Sequence, residues 1–155
     1  MKKLTILAVT VILVLFAATT KAATTDYATA TASFTSTTAW SHVSCGGASC
    51  SCSPSLGDNL FICSGATITE TGAMTFGPGG WGTLTIATGA TLIVNGDVTF
   101  ENNSVVTVQT GGNLVINGNF TNKNNSNQIS VNGGIAVSGN ASFGNGSTVT
   151  GTGSF

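Results

Sequence analysis

His42 and all four cysteines, Cys45, Cys50, Cys52 and Cys63, crowd into one stretch, "AWSHVSCGGASCSCSPSLGDNLFICSG", residues 39–65. Two chemistries draw on that combination. The first is oxidation to two disulfides, for which an even cysteine count in an exported chain argues. The second is a metal centre on four thiolates, or on three of them with His42. The spacing Cys45-x4-Cys50-x-Cys52-x10-Cys63 lacks the paired short intervals of zinc sites. Disulfides are therefore the expectation, in any of three connectivities, with Cys50–Cys52 ranked last because it demands a very tight loop. His42 is expected to decorate a cap and not to catalyse.

The carboxylates are Asp26, Asp58, Glu70, Asp97 and Glu101. Glycoside hydrolysis needs two of them about 5–9.5 Å apart across a cleft. Asp97 and Glu101 stand four residues apart on one predicted strand, directed outward around a turn, with no arginine in the chain to polarise a substrate. Glu70 falls in a column otherwise filled by Val94, Ile116 and Val137, which marks local irregularity beside a cap. Lys123 follows Glu101 by one repeat, and an exposed pair of that kind contributes only about 0–1 kcal/mol. No residue is assigned to catalysis, to a cofactor or to a metal, and the chain is not expected to be an enzyme.

Charge removes further classes. The first 22 residues read as a signal peptide: Lys2 and Lys3, the apolar run Leu4 to Ala18, then Thr20 and Ala22 at the small positions before a cut. A run that short does not reach the ~20 residues of a membrane span. Behind the cut a single cation remains, Lys123. A phosphate backbone requires several, and so does an anionic membrane surface. Nucleic acid is excluded as a partner, and so is a membrane once the signal is removed.

The elements that must carry these residues announce themselves as a repeat. "LTIATGATLIVNG" at 84–96 returns as "VTVQTGGNLVING" at 106–118 and is preceded by "LFICSGATITETG" at 60–72. Gly65, Gly89, Gly111, Gly133 and Gly153 close the first strand of each unit, and Gly72, Gly96, Gly118 and Gly139 the second. Intervals of 20–24 residues belong to stacked-coil architectures. Strand alternation then assigns the faces. The inward pairs are Leu60/Ile62, Leu84/Ile86, Val106/Val108 and Ile129/Val131, then Leu92/Val94, Leu114/Ile116 and Ile135/Val137. A third strand adds Met74/Phe76, Val98/Phe100, Phe120 and Ala141/Phe143, with Asn122 breaking the phenylalanine column. Outward columns run Thr85, Thr107, Ser130, Thr150 and Thr75, Thr99, Thr121, Ser142. Turns carry "ENN", "KNN" and "GNG", which tolerate left-handed backbone angles.

The predicted fold is all-β: a parallel β-helix-like solenoid with three short strands per coil and an N-terminal disulfide-bearing cap. Its parts are a signal peptide (1–22), a spacer and cap (23–59) and solenoid repeats (60–155), the last coil incomplete because Val149 and Phe155 begin a further one. A single coil orders too many residues for the few side chains it buries, so the coils must stack.

Trp40, "SPSLGDNLFICSGATIT" and "GTLTIATGATLIVNGDVTF" together resemble the opening of secreted glycine-rich β-solenoid surface proteins of Bacteroidetes-type bacteria. The resemblance implies an adhesin-like protein at a bacterial cell surface, and it supplies no catalytic residues. The expected function is thus a structural or adhesive wall or spacer, with surface polysaccharide or another solenoid chain at the C-terminal end as partner. Other readings are the start of a carbohydrate-binding or polysaccharide-degrading β-helix, an ice-binding threonine face, and a curli-like fibre.

Overall fold

The computed structural model describes residues 22–123 and 126–155. The expected signal peptide, apart from Ala22, lies outside them. Among the described residues there is no helix long and apolar enough to cross a membrane, and the chain runs as sixteen strands.

Four three-strand coils form the body. They are β4–β6 (Asn59–Ile62, Thr67–Glu70, Met74–Phe76), β7–β9 (Leu84–Ile86, Thr91–Val94, Val98–Phe100), β10–β12 (Val105–Val108, Asn113–Ile116, Phe120–Asn122) and β13–β15 (Gln128–Val131, Gly134–Val137, Ala141–Phe143). Strands β1 (Thr25–Ala28), β2 (Ala32–Ser33) and β3 (Trp40–Ser41) precede them, and β16 (Val149–Thr150) follows. Each strand pairs in parallel with its counterpart one coil away, giving sheets ordered β16-β13-β10-β7-β4-β1-β3, β14-β11-β8-β5-β2 and β15-β12-β9-β6. The exception is β3, which joins β1 antiparallel. This is the β-solenoid expected from the repeat.

The register follows the alternation residue by residue. Leu60, Leu84, Val106 and Ile129 align, as do Ile68, Leu92, Leu114 and Ile135, and Met74 and Val98 with Phe120. All of them are buried. Phenylalanine rings run edge-to-face through the interior, from Phe76 to Phe100 at 5.7 Å and Phe100 to Phe120 at 5.1 Å. Asn122 takes its place in the ladder opposite Phe100 and Phe143 and is fully buried. Its side-chain oxygen accepts a hydrogen bond from Asn127 Nδ2, while Asn127 Oδ1 accepts from the Ser104 N–H at 3.0 Å. A buried amide is tolerated where a second amide answers it.

Two inward positions depart from expectation. Ala141 and Phe143 keep the register, yet both are exposed, because no further coil lies over them among the described residues. Phe155 reaches back over it, its ring 5.2 Å from Phe120 and 5.3 Å from Phe143.

The segment after residue 22 is not the loose leader expected before the cap. Strand β1 pairs in parallel with β4, and β2 with β5, so they begin the stack itself. They escape the apolar pattern because the inward residues of β1 are Asp26 and Ala28, aligned with Leu60 and Ile62. Above them Phe34, Trp40 and Trp81 form an aromatic lid. Phe34 meets Trp40 at 5.3 Å and Trp81 at 5.0 Å, and Trp40 Nε1 donates to the Phe34 carbonyl at 2.9 Å. The first interval is the longest because a turn at Gly77–Gly80 delivers Trp81 to that lid.

Left-handed turns sit where the motifs place them: Gly65, Gly89 and Gly111 have φ of 78°, 72° and 76°, and Asn103 in "ENN" has 63°. Two residues of "KNN", Asn124 and Asn125, lie outside the described residues. At the second corner the glycines serve a different need. A Cβ on Gly118 would meet the backbone of Gly96 at 2.5 Å, and one on Gly139 would meet that of Gly118 at 2.6 Å. Successive coils touch here main chain to main chain. Gly118→Ala should therefore destabilise the protein by roughly 1–3 kcal/mol, whereas Gly46→Ala, with nothing within 4 Å of the new methyl, should change little. Urea denaturation of the two variants checks the contrast.

Candidate functional site

The residues with reactive groups converge on one flank of the cap. Strand β3 ends at Ser41, and the loop behind it carries His42 and three of the cysteines back toward β4. Cys45 and Cys63 form one disulfide, with Cα atoms 5.5 Å apart, which ties the loop to the residue after β4. Cys63 is buried. Cys50 and Cys52 form the other, with Cα atoms 5.1 Å apart. This corrects the expectation that ranked that pairing last. The tight loop exists because Ser51 adopts a left-handed backbone, φ 53°, which turns the chain within three residues. Two disulfides fit an oxidising compartment.

His42 does more than decorate. Its Nε2 lies 2.9 Å from Asp26 Oδ1 and 3.1 Å from Cys52 Sγ. Asp26 is completely buried, at the head of an inward column, while the His42 side chain is about half exposed (47%). A buried carboxylate requires a partner, and the imidazole supplies one from the solvent side. Cys50 faces a different group: its Sγ lies 3.3 Å from the Trp40 carbonyl oxygen, and its N–H donates to the same oxygen at 2.9 Å. His42 Nε2 and the sulfurs of Cys50 and Cys52 all fall within 4.8 Å of one another. That set differs from the metal sets weighed from sequence, since Cys45 and Cys63 are engaged with each other. Thiolates bind metals and disulfide sulfurs do not, so in the oxidised chain this cluster is not a ligand set.

Spacing along the chain does not place Asp26 in this cluster. Its one available sign is period-two alternation in "TDYA", where the aspartate replaces an apolar inward residue.

The remaining carboxylates are each used locally. Asp58, buried, accepts from the Thr24 N–H at 3.1 Å and the Ser55 N–H at 3.0 Å, fastening β1 at its start. Glu70 stands opposite Val94 as expected, and its Oε1 turns to the Gly72 N–H at 2.8 Å, out of the core. Asp97 Oδ1 accepts from the Asn119 N–H at 2.7 Å, and Asn119 Oδ1 in turn accepts from the Asn140 N–H at 3.0 Å. Beside it Asn117 Nδ2 donates to Asn95 Oδ1 at 2.8 Å. These amide ladders at the second corner escaped the sequence reading, although the recurring "VNGD", "INGN" and "VSGN" signal them. Glu101 pairs with Lys123 at 2.7 Å across one coil, as expected.

Along the outer surface the hydroxyl columns are in register. Thr85, Thr107, Ser130 and Thr150 align on the first sheet, and Thr75, Thr99, Thr121 and Ser142 on the third. The chain matches no protein-family model, no curated protein and no solved structure.

Proposed function

We propose that the protein is a secreted structural or adhesive module of a bacterial cell surface, a stiff solenoid wall or spacer without catalytic chemistry. The observation that carries this reading is the pair of neutral hydroxyl columns, repeated once per coil on two sheets. A rigid row of donors and acceptors at strand spacing, about 4.8 Å, suits a polymer that repeats its own hydroxyls, such as a surface polysaccharide. The disulfides and the signal-like first residues agree with export.

A second solenoid chain is the other partner, at the end of the stack formed by β13–β16. Phe143 and Phe155 are 47% and 52% exposed there, and strands at an uncovered end offer unpaired backbone groups to a neighbour.

Sedimentation with insoluble polysaccharides such as cellulose, chitin and peptidoglycan tests the first partner. The protein should co-sediment with at least one, and Thr99→Asp combined with Thr121→Asp should abolish this without lowering thermal stability. Release of reducing sugar from any of them would overturn the non-catalytic reading. Light scattering tests the second partner: the wild type should self-associate with rising concentration, and Phe143→Asp with Phe155→Asp should remain monomeric. A wild type that stays monomeric at high concentration removes the end-to-end contact.

A further inference from the structure

We propose that Cys50–Cys52 is a thiol–disulfide exchange site, able to oxidise one equivalent of a dithiol as a reactant and not as a catalyst, while Cys45–Cys63 is a structural staple. Four observations converge on this division of labour.

The first is access. Cys50 and Cys52 are both half-buried on the flank of the cap with exposed Ser51 between them, so either sulfur can be reached, whereas in the other bridge Cys45 is exposed but its partner Cys63 is buried. The second is ring size. A bridge between residues two apart removes less freedom from the unfolded chain than one between residues 18 apart, so it adds less to stability and is correspondingly easier to give up. The third is the position of His42, whose Nε2 lies 3.1 Å from Cys52 Sγ and is held there by the buried carboxylate of Asp26 at 2.9 Å. The fourth is the asymmetry between the two sulfurs. Cys52 faces a group that carries or delivers a proton, which favours its thiolate as leaving group. Cys50 faces the Trp40 carbonyl at 3.3 Å, an acceptor that favours its protonated thiol.

The exchange then has a direction. The thiolate of an incoming dithiol attacks Cys50 Sγ, forming a mixed disulfide. The Cys50–Cys52 bond breaks and its electron pair leaves on Cys52 Sγ, where an N–H at His42 Nε2 donates to the new thiolate before it takes up a proton. The second thiol of the dithiol, deprotonated, attacks its own partner sulfur in the mixed disulfide. Cys50 departs as thiolate, takes up a proton from solvent and donates its S–H to the Trp40 carbonyl. The dithiol is oxidised to a disulfide, and Cys50–Cys52 is reduced to two thiols. Thiols attack most readily where the leaving sulfur is the better-stabilised thiolate, and a nearby imidazolium is a recognised source of that stabilisation.

The test begins with the wild-type protein. Limiting dithiothreitol followed by alkylation and mass spectrometry should label Cys50 and Cys52 first, with Cys45–Cys63 intact and the circular dichroism unchanged. Single variants then read the asymmetry. With Cys50→Ser, the remaining Cys52 should be alkylated at pH 7 several-fold faster than Cys50 is in Cys52→Ser, because an imidazole beside a sulfur favours its thiolate. Adding His42→Gln to Cys50→Ser should erase that advantage. Reduction of both bridges together, and only with loss of fold, would overturn the proposal. Equal alkylation rates for the two remaining thiols, or an unaltered rate on loss of His42, would overturn the directed mechanism.

Discussion

Phe100→Asp is expected to destroy the cooperative fold, at a cost above about 4 kcal/mol. Phe100 is completely buried, with the rings of Phe76 and Phe120 at 5.7 and 5.1 Å on either side. The substitution removes both aromatic contacts, opens a cavity and leaves an unpaired carboxylate where neither water nor a cation can reach it. Thr99, the adjacent residue, points outward in the ladder between Thr75 and Thr121. Thr99→Asp should stay within about 0.5 kcal/mol of the wild type. Thermal melting of the pair decides the matter. Equal melting temperatures would mean that the strand register is shifted by one residue, since such a slip exchanges the two faces.

The second large effect belongs to the Cys45–Cys63 bridge. It closes a loop between residues 18 apart in sequence, and a loop of that length contributes about 3 kcal/mol by restricting the unfolded chain. Cys45→Ser with Cys63→Ser should lose that amount in urea denaturation, and the cap, which the bridge ties to β4, should lose amide-exchange protection before the later coils do. Replacing Cys50 and Cys52 by serine should cost about half as much, because the ring is so small. A cap that keeps full protection without Cys45–Cys63 would show that the aromatic lid alone holds it.

Why was the solenoid legible in the sequence while its beginning was not? From Leu60 onward the inward residues, Glu70, Asn122 and Ala141 apart, are large apolar side chains recurring at nearly constant spacing, so alternation and period reinforce one another. Strands β1 and β2 obey the same geometry with Asp26, Ala28 and Ala32 in the inward places. Small and charged residues carry no hydrophobic signal, and the strands are recognisable only through what they pair with. Asn122 was visible as a break in the phenylalanine column, but its partner Asn127 was not, because the amide that donates to its side-chain oxygen arrives from the next turn. The candidate site was half legible. The cysteines and His42 stood together in the chain, yet the tight Cys50–Cys52 bridge depends on a backbone angle at Ser51 that serine does not advertise, and Asp26 reaches His42 only through tertiary pairing.

One end of this stack is blunted and the other is not. At the first, antiparallel β3 and the lid of Phe34, Trp40 and Trp81 occupy the edge; at the second, Phe143 and Phe155 look outward. Growth of the stack is therefore one-sided: the lid closes the first edge to further pairing, and each later strand finds its template on the coil before it, a short loop closure of one period every time. The asymmetry that reads as a cap thus gives the polypeptide a starting template and a direction of growth.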